Sequence, residues 1–177
     1  MLSTLLLLLS ALSAPSCDYD HDAMMALDQN AFDQDMEGGW RTLHRAGCTE
    51  EAADLIRDYR RHHDNDAPIL LFHEGQMRAQ AGQTEKAIPL IEQTYRNDED
   101  RGGWNFYVDG TIAFLEGDRK ALKAARERLA DVPEPEEFAP VDTLGNPVDM
   151  PWPPNLPMLD RLIDCFDSDY AEAYHGC

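Results

Sequence analysis

Apolar side chains between residues 33 and 130 recur three and four positions apart, the spacing of a helix face, and glycines break the pattern at regular intervals. This predicts six helices, over residues 33–45, 49–62, 68–81, 84–96, 103–115 and 118–130. A shorter leading helix is expected near residues 23–30. Beyond Ala130 the pattern changes, because eight of the eleven prolines lie between Pro133 and Pro157. Such a stretch cannot sustain a long helix and predicts an extended arm. Phe138 and Trp152 are the side chains expected to pack that arm against the helices. Leu159, Leu162, Ile163, Phe166 and Tyr170 then share one face at helical spacing and predict a last helix over about 157–174.

The helices repeat. Shifting the chain by thirty-five residues carries Gly47, Thr49, Glu50, Ala52, Leu55 and Ile56 onto Gly82, Thr84, Glu85, Ala87, Leu90 and Ile91. The same shift carries Ala46 to Ala81, Gly75 to Gly110 and Gly82 to Gly117. Gly47, Gly82 and Gly117 fall where a helix should end in a left-handed residue. Thr49 and Thr84 stand where the next helix begins, with hydroxyls able to cap it. Ala52 and Ala87 are small where two helices must approach. Pro89 lacks the amide of a normal helical residue, so a slight kink is expected there.

Leu71, Gly75, Gly82, Ala87 and Ile91 in residues 69–95 resemble the signature of the tetratricopeptide (TPR) repeat, a helix-turn-helix unit of about 34 residues. Residues 105–129 match at Phe106 and Gly110, and in residues 33–59 Trp40 stands in the place of the first-helix glycine. The resemblance implies an all-α fold, a right-handed α-α superhelix (a TPR-like solenoid) of about three helical hairpins. Residues 17–131 would form the repeats, 132–157 the proline-rich arm and 158–177 a C-terminal capping helix and tail. In such a solenoid the first helix of each unit lines a concave groove. That groove would present Arg41, His44 and Arg45, then Ile69, Phe72 and Gln76, then Trp104, Tyr107, Thr111 and Phe114. Cations at one end and aromatics at the other suit an extended peptide. Two other readings stand beside this one. The aromatics could be core, or the proline-rich arm could itself fill the groove.

Residues 1–16 change the setting of the domain. Met1 to Ala14 carry leucine at 2, 5 to 9 and 12 and no charged side chain. This run is too short to span a bilayer and has the length of an export signal. Cleavage after Ser16 would leave Cys17 first. Ala14-Pro15-Ser16-Cys17 also resembles a bacterial lipobox, an alternative in which Cys17 carries a lipid anchor. The expected location is therefore periplasmic or secreted, with no transmembrane segment in the mature chain. Cys17, Cys48, Cys165 and Cys177 form an even set for an oxidising compartment. Three pairings are open, and the economical one joins Cys17 to Cys48 and Cys165 to Cys177.

The formal net charge of −19 argues against nucleic acid, which needs clustered cations. Asp18, Asp20 and Asp22 alternate like the start of a calcium loop, but Ala23 follows where glycine is needed. His62-His63 reads as an interhelical turn and His73-Glu74 as a helix surface. No zinc-type cysteine spacing, phosphate loop or nucleophile elbow is present, so no cofactor and no catalytic residue is expected. The sequence thus favours an exported, non-catalytic module for a protein or peptide partner. A metal-dependent protein or enzyme using the acidic leader and the histidines is the second reading.

Overall fold

The computed structural model describes residues 16–97, 100, 102–141 and 145–177, so residues 1–15 of the expected export signal lie outside the described residues. The described chain is all-helical. It contains α1 (His21–Met25), a π-helical turn (Asn30–Gln34), α2 (Arg41–Arg45), α3 (Thr49–His62) and α4 (Pro68–Gln80). There follow α5 (Thr84–Glu92), α6 (Trp104–Leu115), α7 (Arg119–Ala130), α8 (Leu156–Asp164) and α9 (Tyr170–His175). No strand occurs among the described residues; Val141 and Pro147 form one isolated antiparallel bridge in the arm.

The thirty-five-residue period is written into the backbone. After α2, α4 and α6 the chain turns through Gly47, Gly82 and Gly117, with φ of 84°, 72° and 74°. In each turn the next amide bonds five residues back, from Cys48 to Leu43, Gln83 to Arg78 and Asp118 to Ala113, at 3.0, 2.8 and 2.8 Å. Each glycine amide also reaches the carbonyl three residues back. This is a Schellman stop made three times at one spacing. The threonines do not cap the helices that follow. Cys48 and Gln83 take the cap positions without side-chain bonds, and of the three helices that follow these stops α7 alone is capped by a side chain, Asp118, which accepts from Lys120 and Ala121. The charges at the ends of α3 suit its dipole, with Glu50 and Glu51 first and Arg60, Arg61 and His62 last.

Neighbouring helices pack in sequence, α2 on α3, α3 on α4, α4 on α5, α5 on α6 and α6 on α7. Gly75 permits one close approach, since a Cβ there would lie 2.6 Å from Ile91 of α5. Its counterpart Gly110 instead receives Leu159 of α8, which packs over α6 and α7. Two cores result. The first gathers Phe32, Trp40, Leu43, Leu55, Ile56 and Tyr59, and the second gathers Ile91, Val108, Leu122, Leu129, Leu159 and Leu162. The α4 helix supplies Leu70 and Met77 to the first and Phe72 and Ala79 to the second.

Four predicted helices end differently, and the leading one, expected near 23–30, spans only His21–Met25. The helix expected over 33–45 is broken into a π-turn and a five-residue α2, because the chain reverses at Gly38-Gly39, where Gly39 has φ 51°. The helix expected over 157–174 is cut between Asp164 and Tyr170. Asp169 there is extended and its side chain caps α9 through the Glu172 amide, a role short acidic residues favour over continuing a helix. The α5 helix runs through Pro89 but stops at Glu92 rather than 96. The arm is held by Trp152, whose indole N–H donates to the Val132 carbonyl at 2.9 Å and whose ring meets Phe138 edge-on at 4.7 Å.

The cysteines pair as Cys17–Cys48 and Cys165–Cys177, with no free cysteine among the described residues. The first bond engages the sulfur that a lipid anchor would need. Two disulfides suggest an oxidising, extracellular environment. No helix among the described residues is long and apolar enough to cross a membrane.

Candidate ligand pocket between α2, α4 and α9

The pocket is built on one buried carboxylate. The π-turn directs Phe32 and Asp33 inward, where Phe32 stacks on Tyr59 at 3.7 Å. Gly39 then brings the backbone back against this turn, so closely that a Cβ would lie 1.8 Å from the Phe32 carbonyl oxygen. The reversal folds Trp40 over Asp33. Asp33 Oδ1 lies 2.6 Å from His73 Nδ1 and accepts from Trp40 Nε1 at 3.0 Å. Its Oδ2 accepts from Gln34, and its backbone carbonyl accepts from Arg41. Burial pushes the Asp33 carboxyl up, but the His73 bond and charge, with Trp40 and Gln34, bring it net below its ordinary range. Sequence reasoning missed this network. Its members are spread over forty residues, and only the fold brings them together. His73, read as helix surface, is instead largely covered.

Above the network lies a pocket of about 250 Å³. Met36, Trp40 and Met77 give it apolar walls, and Arg41, His44, Arg45 and His73 give it cations or imidazoles. Gln76 and Gln80 of α4 and Tyr174 of α9 complete it. The Arg41 guanidinium lies 4.2 Å from the Trp40 ring centre, and burial lowers its pKa against the opposing pull of Asp33. His44 is lowered by burial, then by His175 and Arg41; the His175 ring lies nearly parallel to it at 6.2 Å. Arg45 reaches outward to the carbonyls of Met36 and Glu37 and to the Glu37 carboxylate at 3.4 Å.

Of the ten residues expected to line a groove, the pocket collects Arg41, His44, Arg45 and Gln76. Ile69 packs against the first core, away from it. Phe72, Trp104 and Tyr107 form an aromatic cluster, with ring centres 4.7 to 5.7 Å apart. The Trp104 indole is fixed by the Thr94 carbonyl at 2.9 Å. Thr111 is fully buried and returns its hydroxyl to the Tyr107 carbonyl. Phe114 meets Phe166 and Tyr170 edge-on. Phe72, Gln76, Tyr107, Thr111 and Phe114 are thus buried side chains, and the aromatic end of the expected groove is core. Its cover comes from α9 rather than from the arm. Tyr170 is buried on Phe114, and burial holds both its phenol and that of Tyr107 above the ordinary value. The α9 helix was not foreseen as a wall, because its tyrosines read as the end of a longer helix.

The other candidates resolve into local structure. Asp20 caps α1 through the Ala23 amide at 3.0 Å, and Asp18 accepts from the Ser16 hydroxyl at 2.7 Å. His63 Nε2 lies 2.9 Å from the Met25 carbonyl, and Asn65 closes the turn between α3 and α4. Among the described residues, the one grouping with metal-ligand proximity is Cys17, Cys48 and Glu51, and its sulfurs are joined in a disulfide. Compared with protein-family models, with curated proteins and with solved structures, the chain finds no match.

Proposed function

We propose that the chain is an exported, non-catalytic binding module of TPR-like construction that holds a protein or peptide partner at its α2 end. The TPR-like reading is supported by the three Schellman stops at one spacing and by the close approach at Gly75. The observation that carries the binding role is the pocket itself. In a chain of net charge −19, Arg41, Arg45, His44 and His73 gather at one opening, beside a 66% exposed Met36. An exposed apolar side chain beside cations offers both an anchor and charge complementarity to a partner.

The test is photo-crosslinking from position 36 in the protein's native extracellular fraction. A single crosslinked species is expected with the natural sequence and should be lost in Arg41→Glu/Arg45→Glu while the helical circular dichroism is retained. Equal crosslinking by the reversed variant would overturn the proposal. Trp104 is unsuitable for this test, because its indole anchors the Thr94 carbonyl.

A further inference from the structure

The arginines of limited exposure are alike except for one. Arg57, Arg60, Arg78 and Arg126 each hold a carboxylate at 2.5 to 2.7 Å. Arg41 is half-buried and, bonded to the Asp33 backbone carbonyl, forms no ion-pair contact with a carboxylate among the described residues. Its guanidinium is steadied by the Asp33 backbone carbonyl and the Trp40 ring, and no other described residue claims the remaining N–H donors of the fork. Asp33 and Asp35 offset this half-enclosed cation only through space, so its burial still carries a cost that an anion in direct contact would relieve.

The surroundings select which anion. The volume of this half-open pocket, about 250 Å³, lies below the roughly 300–1,000 Å³ of pockets for drug-sized ligands. A phosphate dianion would face the field of a −19 chain, with Asp33 and Asp35 among the charges acting on Arg41 and no second unpaired guanidinium beside it. One planar fork matches one carboxylate. The walls at Met36, Trp40 and Met77 call for an apolar body attached to that carboxylate. We propose that the pocket binds a small monocarboxylic acid, its carboxylate on Arg41 and its apolar or aromatic body between Trp40, Met36 and Met77. This goes beyond partner binding, since it concerns what fits inside the pocket rather than what docks at its mouth.

The experiment uses the whole oxidised protein with three probes of one shape, phenylacetate, phenylacetamide and phenethylamine. Binding is followed through the methionine methyl resonances of Met36 and Met77. Phenylacetate should shift both signals saturably, and the neutral amide should bind about tenfold or more weakly, the loss of one charge-assisted contact. Phenethylamine should not bind. Arg41→Gln should abolish the preference for acid over amide, whereas Arg45→Gln, whose guanidinium already meets Glu37, should keep it. The probe comparison on the natural protein does not depend on either variant folding. Equal binding of acid and amide, or no shift at Met36 and Met77 with phenylacetate, would overturn the inference. Either result leaves the crosslinking at position 36 to be read on its own.

Discussion

Replacing Cys165 and Cys177 together by alanine should detach α9 before it unfolds anything else. The bond closes a loop of sequence separation 12, and chain-entropy loss from such a loop amounts to about 2.8 kcal/mol at 25 °C. In a domain of this size that corresponds to a fall in melting temperature of roughly 6–11 °C. The effect should be concentrated at the C-terminus. The α9 helix has six residues, too few to persist alone, and its hold on the rest is mainly the burial of Tyr170 and Ala173. Tyr170 contributes less than its size suggests, because its buried hydroxyl has no hydrogen bond of good geometry among the described residues. Hydrogen exchange read by mass spectrometry should therefore show residues 166–177 losing protection far more than α3 or α7. Exposure of Phe114 and Tyr107 should follow, with an increase in binding of a hydrophobic dye. Cys17–Cys48, with a separation of 31, serves as the comparison and should cost about 3.7 kcal/mol with its loss of protection at the other end. If α9 keeps its protection without the bond, the view that α9 is held in place by its staple is wrong.

Asp33→Asn should destabilise the protein by about 3 kcal/mol in denaturant titration, since it breaks a buried charge-assisted network. A double-mutant cycle with His73→Ala should show strong coupling, and additive effects would contradict the contact. Gly39→Ala should cost at least about 2 kcal/mol, from positive φ together with the Phe32 carbonyl. Gly47→Ala, which has positive φ but open space, should cost only about 1 kcal/mol. Because His44 has a folded pKa below its ordinary 6.5, the unfolded chain binds the proton more readily. Stability should therefore rise with pH between the lowered value and 6.5, and His44→Gln should remove that part of the slope. An unchanged slope would show that His44 is not desolvated as described.

The helical stretches from residue 49 to 130 were legible because each carries its own period, and a glycine stop follows α4 and α6. The disulfides follow the economical one of the three pairings that the sequence leaves open, each chain-end cysteine taking the partner nearest in sequence. The pocket was legible only at Arg41, His44, Arg45 and Gln76, which share helix faces with spacing that sequence can show. Asp33, His73 and Tyr174 were not, since their meeting depends on a reversal at Gly39 and a break at Asp169. Both are places where a helical pattern continues in the sequence while a local cap or a positive φ interrupts it. The aromatic end illustrates the same limit. Phe72, Tyr107 and Phe114 have the spacing of a groove wall and of a core stripe alike, and α9 makes them core.

The two staples decide how the molecule would carry tension. Each closes a short loop at one end, 17–48 and 165–177, and the second core reaches α9 while the first reaches the segment beside Cys17. A pull applied at Cys17 and Cys177 bypasses both loops and enters the chain at Cys48 and Cys165. Stretching would thus begin at α3 and α8 and spare α1, α2 and α9. The load would converge on α4, which belongs to both cores, so the two halves should yield in one event rather than hairpin by hairpin. With α2 and α9 unloaded, two walls of the pocket would be spared, while its third wall, α4, would carry the force.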